Sequence, residues 1–241
     1  NQLMSEIADK INYFAIRSFR DTADRDYINA RMAFRAELLP QFRWSALHAL
    51  EKYAKCLLIL QRVPKSNQGR IQHEVIKSIN LLPKKEELKL SREVASFLSD
   101  LEEYGARYRY FEVSWWSKGH KELLLLDRAV NEIRRFCRYD LYSYNLCNEL
   151  ISMDSNLLRT ENASEIEDGY LEKVFADQES YCRDALVWKN SYFSIDEQDD
   201  IDCSAREYGS NSPLYLYPEI VDEASKYCFV PKEIIKQCKV G

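Results

Sequence analysis

The sequence predicts an all-α protein built as an up-and-down helical bundle. Only 6 Gly and 6 Pro occur among the 241 residues, and a fold of many strands would need more turn-forming residues. Helix-favouring residues such as Leu, Ala, Glu and Lys are plentiful. Apolar side chains also recur every three or four positions in the first half of the chain, beginning with Ile7, Ile11 and Phe14. This period places them on one face of a helix.

Local signals divide the first half of the chain into successive helices. Asp21 and Thr22 separate the first two helices, and Pro40 ends the second. A cluster of Pro, Ser, Asn and Gly predicts a loop at 63–69. Pro83 marks the end of one further helix, and Gly105 stands near the end of another. We therefore expect a loop at 112–120 and helices at 4–20, 24–39, 43–62, 70–82, 90–111 and 121–145.

The chain changes character after about residue 145. A polar, interrupted stretch is followed by an acidic run at 194–202 and a turn-rich, extended piece at 208–218. Pro218 and Pro231 each stand where the first residue of a short helix is expected. We expect residues 1–145 to form the bundle, and residues 146–241 to form a mostly helical, irregular extension packed on it.

Composition restricts the function. A net charge of −5 disfavours binding to nucleic acid through the whole surface, although a local basic patch is compatible with it. The seven cysteines form no C-x-x-C and make no zinc spacing with histidine, which favours a reducing cytoplasm and predicts neither a metal ion nor another cofactor. No apolar run reaches membrane-spanning length, so no membrane contact is expected. The acidic segment lacks the glycine and final glutamate of a calcium loop, so we interpret four aspartates as solvated: Asp196, Asp199, Asp200 and Asp202.

Residues 43–62 predict a central helix, because their apolar arc is wide enough to need covering on several sides. One polar stripe interrupts that arc and contains His48, Glu51, Lys52 and Lys55. Glu51 and Lys55 stand four residues apart in the order that favours an ion pair. Two interpretations remain open. Either Glu51 orients His48 while Lys55 attracts a phosphate, or hydrogen bonds within the stripe hold the helices in register and Glu51 and Lys55 are scaffold.

Basic and aromatic residues further along the chain supply the other site candidates. His73 is either a proton carrier or a helix-start residue bonded to nearby backbone. Residues 107–110 combine guanidinium groups with stacking rings, so they either contact phosphates and bases or reach the core from a helix end. The candidate catalytic residues are His48, His73, Arg107 and Arg109. The candidate residues for binding RNA or nucleotide are Arg107, Tyr108, Arg109, Tyr110, Lys118 and His120.

These motifs together resemble the HEPN domain family over roughly residues 8–140. Ala49, Glu51 and Lys55 match the A-x-E-x-x-x-K-like pattern of that family's central helix. His73 fits the histidine that opens a short following helix, and residues 106–111 resemble the Arg/Tyr segment before the closing helix. The resemblance implies a helical bundle and frequent dimers. It also implies nucleotide binding or metal-independent RNA cleavage in prokaryotic defence, toxin–antitoxin or stress systems.

HEPN ribonucleases share an Arg-x(4–6)-His motif near their closing helices, and here that spacing occurs only at Arg43 and His48. This pair lies on the predicted central helix, where five residues turn the two side chains about 140° apart. Arg43 and His48 are therefore not expected to converge. The sequence leaves two functions open: a homodimeric HEPN-like protein that binds or cleaves RNA or binds nucleotide, and a catalytically inactive module that binds a protein partner.

Overall fold

The protein is mostly helical, which confirms the all-α character that the sequence predicts. The computed structural model describes residues 2–69, 73–108, 114–117, 119–155, 166–193, 208–227, 230 and 232–240. In the first half the helices are α1 (Gln2–Ala15), α2 (Asp21–Arg35), α3 (Leu39–Leu60), α4 (Lys65–Gln68), α5 (Val75–Asn80), α6 (Arg92–Tyr108) and α7 (His120–Arg134). In the second half they are α8 (Tyr170–Ala176), α9 (Arg183–Val187), α10 (Pro213–Leu216), α11 (Val221–Ala224) and α12 (Lys232–Val240).

Two small antiparallel sheets accompany the helices. Strand β1 (Trp115–Ser117) pairs with β4 (Tyr208–Ser210), and β2 (Tyr142–Tyr144) pairs with β3 (Leu150–Met153). None of these strands was predicted, because segments of three or four residues are too short to show an alternating pattern. Short 3₁₀ turns precede β2 at Tyr139–Leu141 and α11 at Pro218–Ile220.

The predicted interruption between the first two helices is wrong. A π-helical turn at Ile16–Arg20 joins α1 directly to α2. The polar residues that suggested a break are bonded within the helix: the Asp21 carboxylate accepts from the Arg17 and Arg20 guanidinium groups, and the Thr22 hydroxyl donates to the Ser18 carbonyl oxygen. Side chains satisfied in this way do not need to end a helix.

Helix α3 is the axis of the bundle, as its wide apolar arc predicts. It begins at Leu39 with Pro40 in its first turn, where the missing N–H of proline has no helical partner to lose. Helices α1, α2, α5, α6 and α7 all contact it. Leu47, Leu50 and Leu57 are completely buried along its length. Burial on several sides therefore explains why this segment is apolar over most of its circumference.

Glycine lets α6 approach α3 closely. Gly105 lies inside α6 rather than ending it, and a Cβ atom built on Gly105 would be 3.3 Å from the Leu47 Cδ2 atom. That separation is tighter than an ordinary van der Waals contact, so the missing side chain gives α6 the room to pack against the middle of α3. This glycine therefore serves helix packing, and it lies near the end of α6, as the sequence predicts.

Part of the C-terminal half completes the main core. Leu171 and Val174 of α8 and Ala185 and Leu186 of α9 are buried in the same apolar cluster as the bundle helices. A second, smaller cluster contains Val221, Val230, Ile234 and Cys238.

The predicted long helix at 121–145 is wrong in length, because α7 ends at Arg134 and the chain then continues into β2. The acidic residues 196–202 lie outside the described part of the chain. None of the helices described is both long and apolar enough to cross a membrane.

Candidate functional site

Two of the three histidines meet beside a glutamate on the polar stripe of α3. The His73 Nδ1 atom is 3.0 Å from the Glu51 Oε2 atom. The His48 and His73 rings are nearly parallel, at 12°, with centroids 6.0 Å apart. One donor atom from each of His48, Glu51 and His73 lies within 4.8 Å of the other two. We call these three residues the His–Glu–His cluster.

Three structural features bring the cluster together. His48 and Glu51 are three residues apart on α3, so they lie on the same face of that helix. His73 stands just before α5, which packs on α3. Its backbone is left-handed, with φ of 52°, a conformation uncommon for residues other than glycine.

An aromatic ring forms one wall of the cluster. Trp44 lies one turn before His48 on α3, and the centroids of the two rings are 3.9 Å apart. The Trp44 ring also lies 5.5 Å from the His73 ring. Trp44 therefore limits the orientations available to both imidazoles, and its half-buried ring offers a surface on which a planar group can stack.

Two lysines and a second carboxylate surround the cluster. The Lys55 Nζ atom donates to the Glu51 Oε1 atom at 2.6 Å, and the Lys52 Nζ atom donates to the Asp26 Oδ2 atom at 2.5 Å. Burial raises the pKa of the Glu51 carboxyl, but hydrogen bonds from Lys55 and His73 outweigh it and leave the pKa below its ordinary value. Burial lowers the pKa of His48. Glu51 is thus an anion whose two oxygens are each bonded to a different partner.

The cluster is open to solvent and chemically versatile. Its three residues are half-buried, and 42% of the His73 side chain is exposed. Two imidazoles that face each other can move protons to and from a bound molecule. Two imidazole nitrogens with one carboxylate oxygen also make a donor set that Zn²⁺ and related ions use. The same residues can therefore support acid–base chemistry or hold a metal ion.

Arg43 and His48, the two residues with the Arg-x(4–6)-His spacing, do not converge on a common site, as their angular separation on the helix predicts. The buried Arg43 guanidinium donates to both carboxylate oxygens of Glu122, at 3.0 and 2.9 Å, and to Asp100 at 2.9 Å. These ion pairs tie α3 to α6 and α7. Arg43 is therefore a packing residue, while His48 belongs to the cluster on another part of the helix.

The other predicted site residues are not shown to join the cluster. His120 begins α7, where its ring packs near Phe34 and Trp188, with centroids 5.7 and 5.9 Å away. The Arg107 Nη2 atom lies 3.8 Å from the Glu233 Oε2 atom of α12. Arg109, Tyr110 and Lys118 lie outside the described residues, as does the side chain of Tyr108.

Some members of the site were not recognised from the sequence. Trp44 and Asp26 were not considered, and His73 was not connected to His48, because 25 positions and a loop separate the two histidines. The available signal was the i,i+3 spacing of His48 and Glu51 on a helix whose other faces are apolar. That spacing identifies the face of α3 on which the site lies. Which residue packs against this face depends on the path of the loop between α3 and α5, and the sequence does not specify that path.

Comparison with known proteins gave no match: no family model, curated protein or solved structure matches this chain. The HEPN resemblance over residues 8–140 therefore stays a prediction that depends on its short motifs. Two residues of those motifs, Glu51 and His73, are members of the cluster.

Proposed function

We propose that this chain is a HEPN-like protein that binds RNA and cleaves it by acid–base chemistry at His48 and His73, without needing a metal ion. The observation that supports this proposal is the facing pair of imidazoles, whose ring centroids are 6.0 Å apart. Cleavage beside a ribose needs one group to take a proton and another to give one. Two histidines whose ring nitrogens both reach one phosphate can perform both roles.

In the proposed reaction the 2′-hydroxyl of a ribose attacks the adjacent phosphorus atom. His48, which burial favours in its neutral form, accepts the proton of that hydroxyl. His73, oriented by Glu51 at its Nδ1 atom, donates a proton from Nε2 to the departing 5′-oxygen. A new P–O bond forms and the P–O5′ bond breaks. The products are a 2′,3′-cyclic phosphate and a 5′-hydroxyl.

Neighbouring residues would hold the RNA in place. Lys52 and Lys55 carry positive charge beside the cluster, and both side chains are partly exposed. A lysine near the phosphate stabilises negative charge that develops during the attack. The Trp44 ring offers a stacking surface for a base. In this proposal the two lysines take the phosphate-binding role that the sequence suggested for Arg107 and Arg109.

The identity of the cleavage products tests this chemistry. Full-length protein is incubated with a defined single-stranded RNA in excess chelator, and the end groups of the fragments are determined. We expect 2′,3′-cyclic phosphate and 5′-hydroxyl ends. The matched control is the same oligonucleotide with 2′-deoxyribose throughout, which lacks the attacking hydroxyl and should stay intact. Fragments with 3′-hydroxyl and 5′-phosphate ends, or no cleavage of the RNA at all, would show that the proposal is wrong.

A second candidate function is a dimerising interaction module. One observation favours it: α1 presents Ile7, Tyr13 and Phe14 to solvent, with Tyr13 67% and Phe14 52% exposed. Tyr13 and the exposed Tyr139 line the same shallow pocket. Exposed aromatic side chains that line one pocket, as Tyr13 and Tyr139 do, are typical of protein interfaces. We propose a second copy of this chain as the occupant, in agreement with the homodimer that the resemblance implies.

The oligomeric state measured by light scattering after gel filtration tests this second candidate. We expect the wild-type protein to dimerise, and Tyr13→Ser to weaken the dimer by about tenfold or more, because aromatic residues often dominate interfaces. Tyr181→Ser is the matched control, since Tyr181 is fully exposed and lies between α8 and α9 rather than on α1. A wild-type protein that stays monomeric at the highest concentration measured would contradict the dimer, and so would equal effects of the two substitutions.

A further inference from the structure

We infer that His48, Glu51 and His73 form a binding site for one transition-metal ion of the Zn²⁺ type. Each residue offers a donor atom that such ions prefer, namely two imidazole nitrogens and one carboxylate oxygen. Among the residues that the structure describes, these three form the one group of three or more His, Cys, Asp or Glu residues whose donor atoms all lie within 4.8 Å of one another. The inference goes beyond the proposed RNA cleavage, because it depends on the donor atoms alone.

The separations between the donor atoms suit a small ion. Tetrahedral Zn²⁺ with bonds of about 2.0–2.1 Å keeps its ligand atoms about 3.3 Å apart. The His73 Nδ1 and Glu51 Oε2 atoms are already 3.0 Å apart, so an ion can take the place of the hydrogen that they share. The donor atoms all lie within 4.8 Å of one another, so closing the widest separation to about 3.3 Å moves each of two donor atoms by less than about 1 Å.

The surroundings of the three donors also suit a metal ion. The Lys55 Nζ atom is bonded to Glu51 Oε1, which fixes the carboxylate and leaves Oε2 directed at His73. Such outer contacts orient the ligands of metal sites. The partly exposed His73 side chain gives an ion access from solvent and leaves room for water at the fourth position.

Metal binding and RNA cleavage would use the same imidazole nitrogens. A nitrogen bonded to Zn²⁺ has no lone pair with which to accept a proton, so the metal-loaded protein should not cleave RNA by the mechanism proposed above. The two claims can be separated, because metal binding is measured without RNA and RNA cleavage is measured in chelator. Failure of either measurement leaves the other claim standing.

Titration with the metal alone tests the site. Tag-free full-length protein is stripped with chelator and titrated with ZnCl₂ by calorimetry, and the visible absorption of bound Co²⁺ reports the coordination geometry. We expect one ion per chain with a dissociation constant of about 10 µM or below. His48→Ala, Glu51→Gln and His73→Ala should each weaken binding by about tenfold or more.

His120→Ala is the matched control, because His120 packs near Phe34 and Trp188 rather than in the cluster, and it should bind Zn²⁺ like the wild type. Circular dichroism and thermal unfolding verify that each variant keeps the fold. Binding of Zn²⁺ that survives all three cluster substitutions would overturn the inference. The same conclusion follows if the wild-type protein takes up no ion, or if His120→Ala loses as much affinity as His48→Ala.

Discussion

Buried ion pairs, at the scale of single residues, connect the C-terminal half to the bundle. The Arg134 guanidinium donates to both carboxylate oxygens of Asp24, at 2.7 and 2.9 Å, and to both oxygens of Glu172, at 2.7 Å each. Tyr53 of α3 adds a hydrogen bond to Asp24 at 2.6 Å. Asp24, Tyr53 and Arg134 are buried, so each charge depends on its partners to offset the loss of water.

Removing the central charge of this network should destabilise the protein strongly. Arg134→Ala leaves the Asp24 carboxylate buried without its cation, and we expect the free energy of unfolding to fall by about 3–5 kcal/mol. Urea unfolding followed by circular dichroism measures this change. Arg128→Ala is the control on the same helix: 47% of the Arg128 side chain is exposed in its ion pair with Glu132, so the expected loss is below about 1 kcal/mol. Similar losses in the two variants would contradict this account of the network.

The candidate site was predictable only in part at this scale. Helical periodicity placed His48, Glu51 and Lys55 on one stripe, and the Glu51–Lys55 ion pair is present. The hydrogen bond between Glu51 and His73 depends on the left-handed backbone at His73. No local pattern in the sequence specifies that conformation, because a left-handed backbone is uncommon in residues other than glycine and depends on the surrounding structure.

At the scale of elements, α3 organises the bundle, because α1, α2, α5, α6 and α7 all contact it. Its apolar arc could be predicted from the sequence because helical periodicity is a local property. Its start was placed four residues late, because Pro40 was interpreted as the end of a helix, although proline is also tolerated in a first turn. The contact between Gly105 and Leu47 could not be predicted, since it depends on how two distant helices pack.

A pair of leucine substitutions tests the position of α3 in the core. Leu47 is completely buried at the contact between α3 and α6, so Leu47→Ala should lower the free energy of unfolding by about 2–5 kcal/mol. Leu38, immediately before α3, is 51% exposed, and Leu38→Ala should cost less than about 1 kcal/mol. Thermal and urea unfolding of the two variants are compared under identical conditions. A small effect of Leu47→Ala would mean that α3 is not the axis of the core.

For the whole molecule, the all-α class followed from composition and periodicity, while the arrangement of the C-terminal half did not. The all-α class follows from the small number of glycines and prolines and from the repeating apolar period. Both are properties of the sequence that do not depend on how the helices pack. The insertion of α8 and α9 into the main core is a long-range event: the Arg31 guanidinium on α2 donates to the Ala185 carbonyl oxygen, 154 positions away. The domain boundary near residue 145 therefore stays a prediction, although apolar residues from both sides of it share one core.

The measurement that most directly tests the proposed site is the rate of RNA cleavage in three matched histidine variants. The kcat/KM values of His48→Ala, His73→Ala and His120→Ala are determined on one RNA in excess chelator. Loss of a general acid or base typically slows a reaction by about 10²–10⁴-fold, and we predict that loss for His48→Ala and for His73→Ala. His120→Ala should keep the wild-type kcat, determined separately from KM, since its ring packs near Phe34 and Trp188 rather than in the cluster. Cleavage that persists unchanged in His48→Ala and His73→Ala would contradict the account.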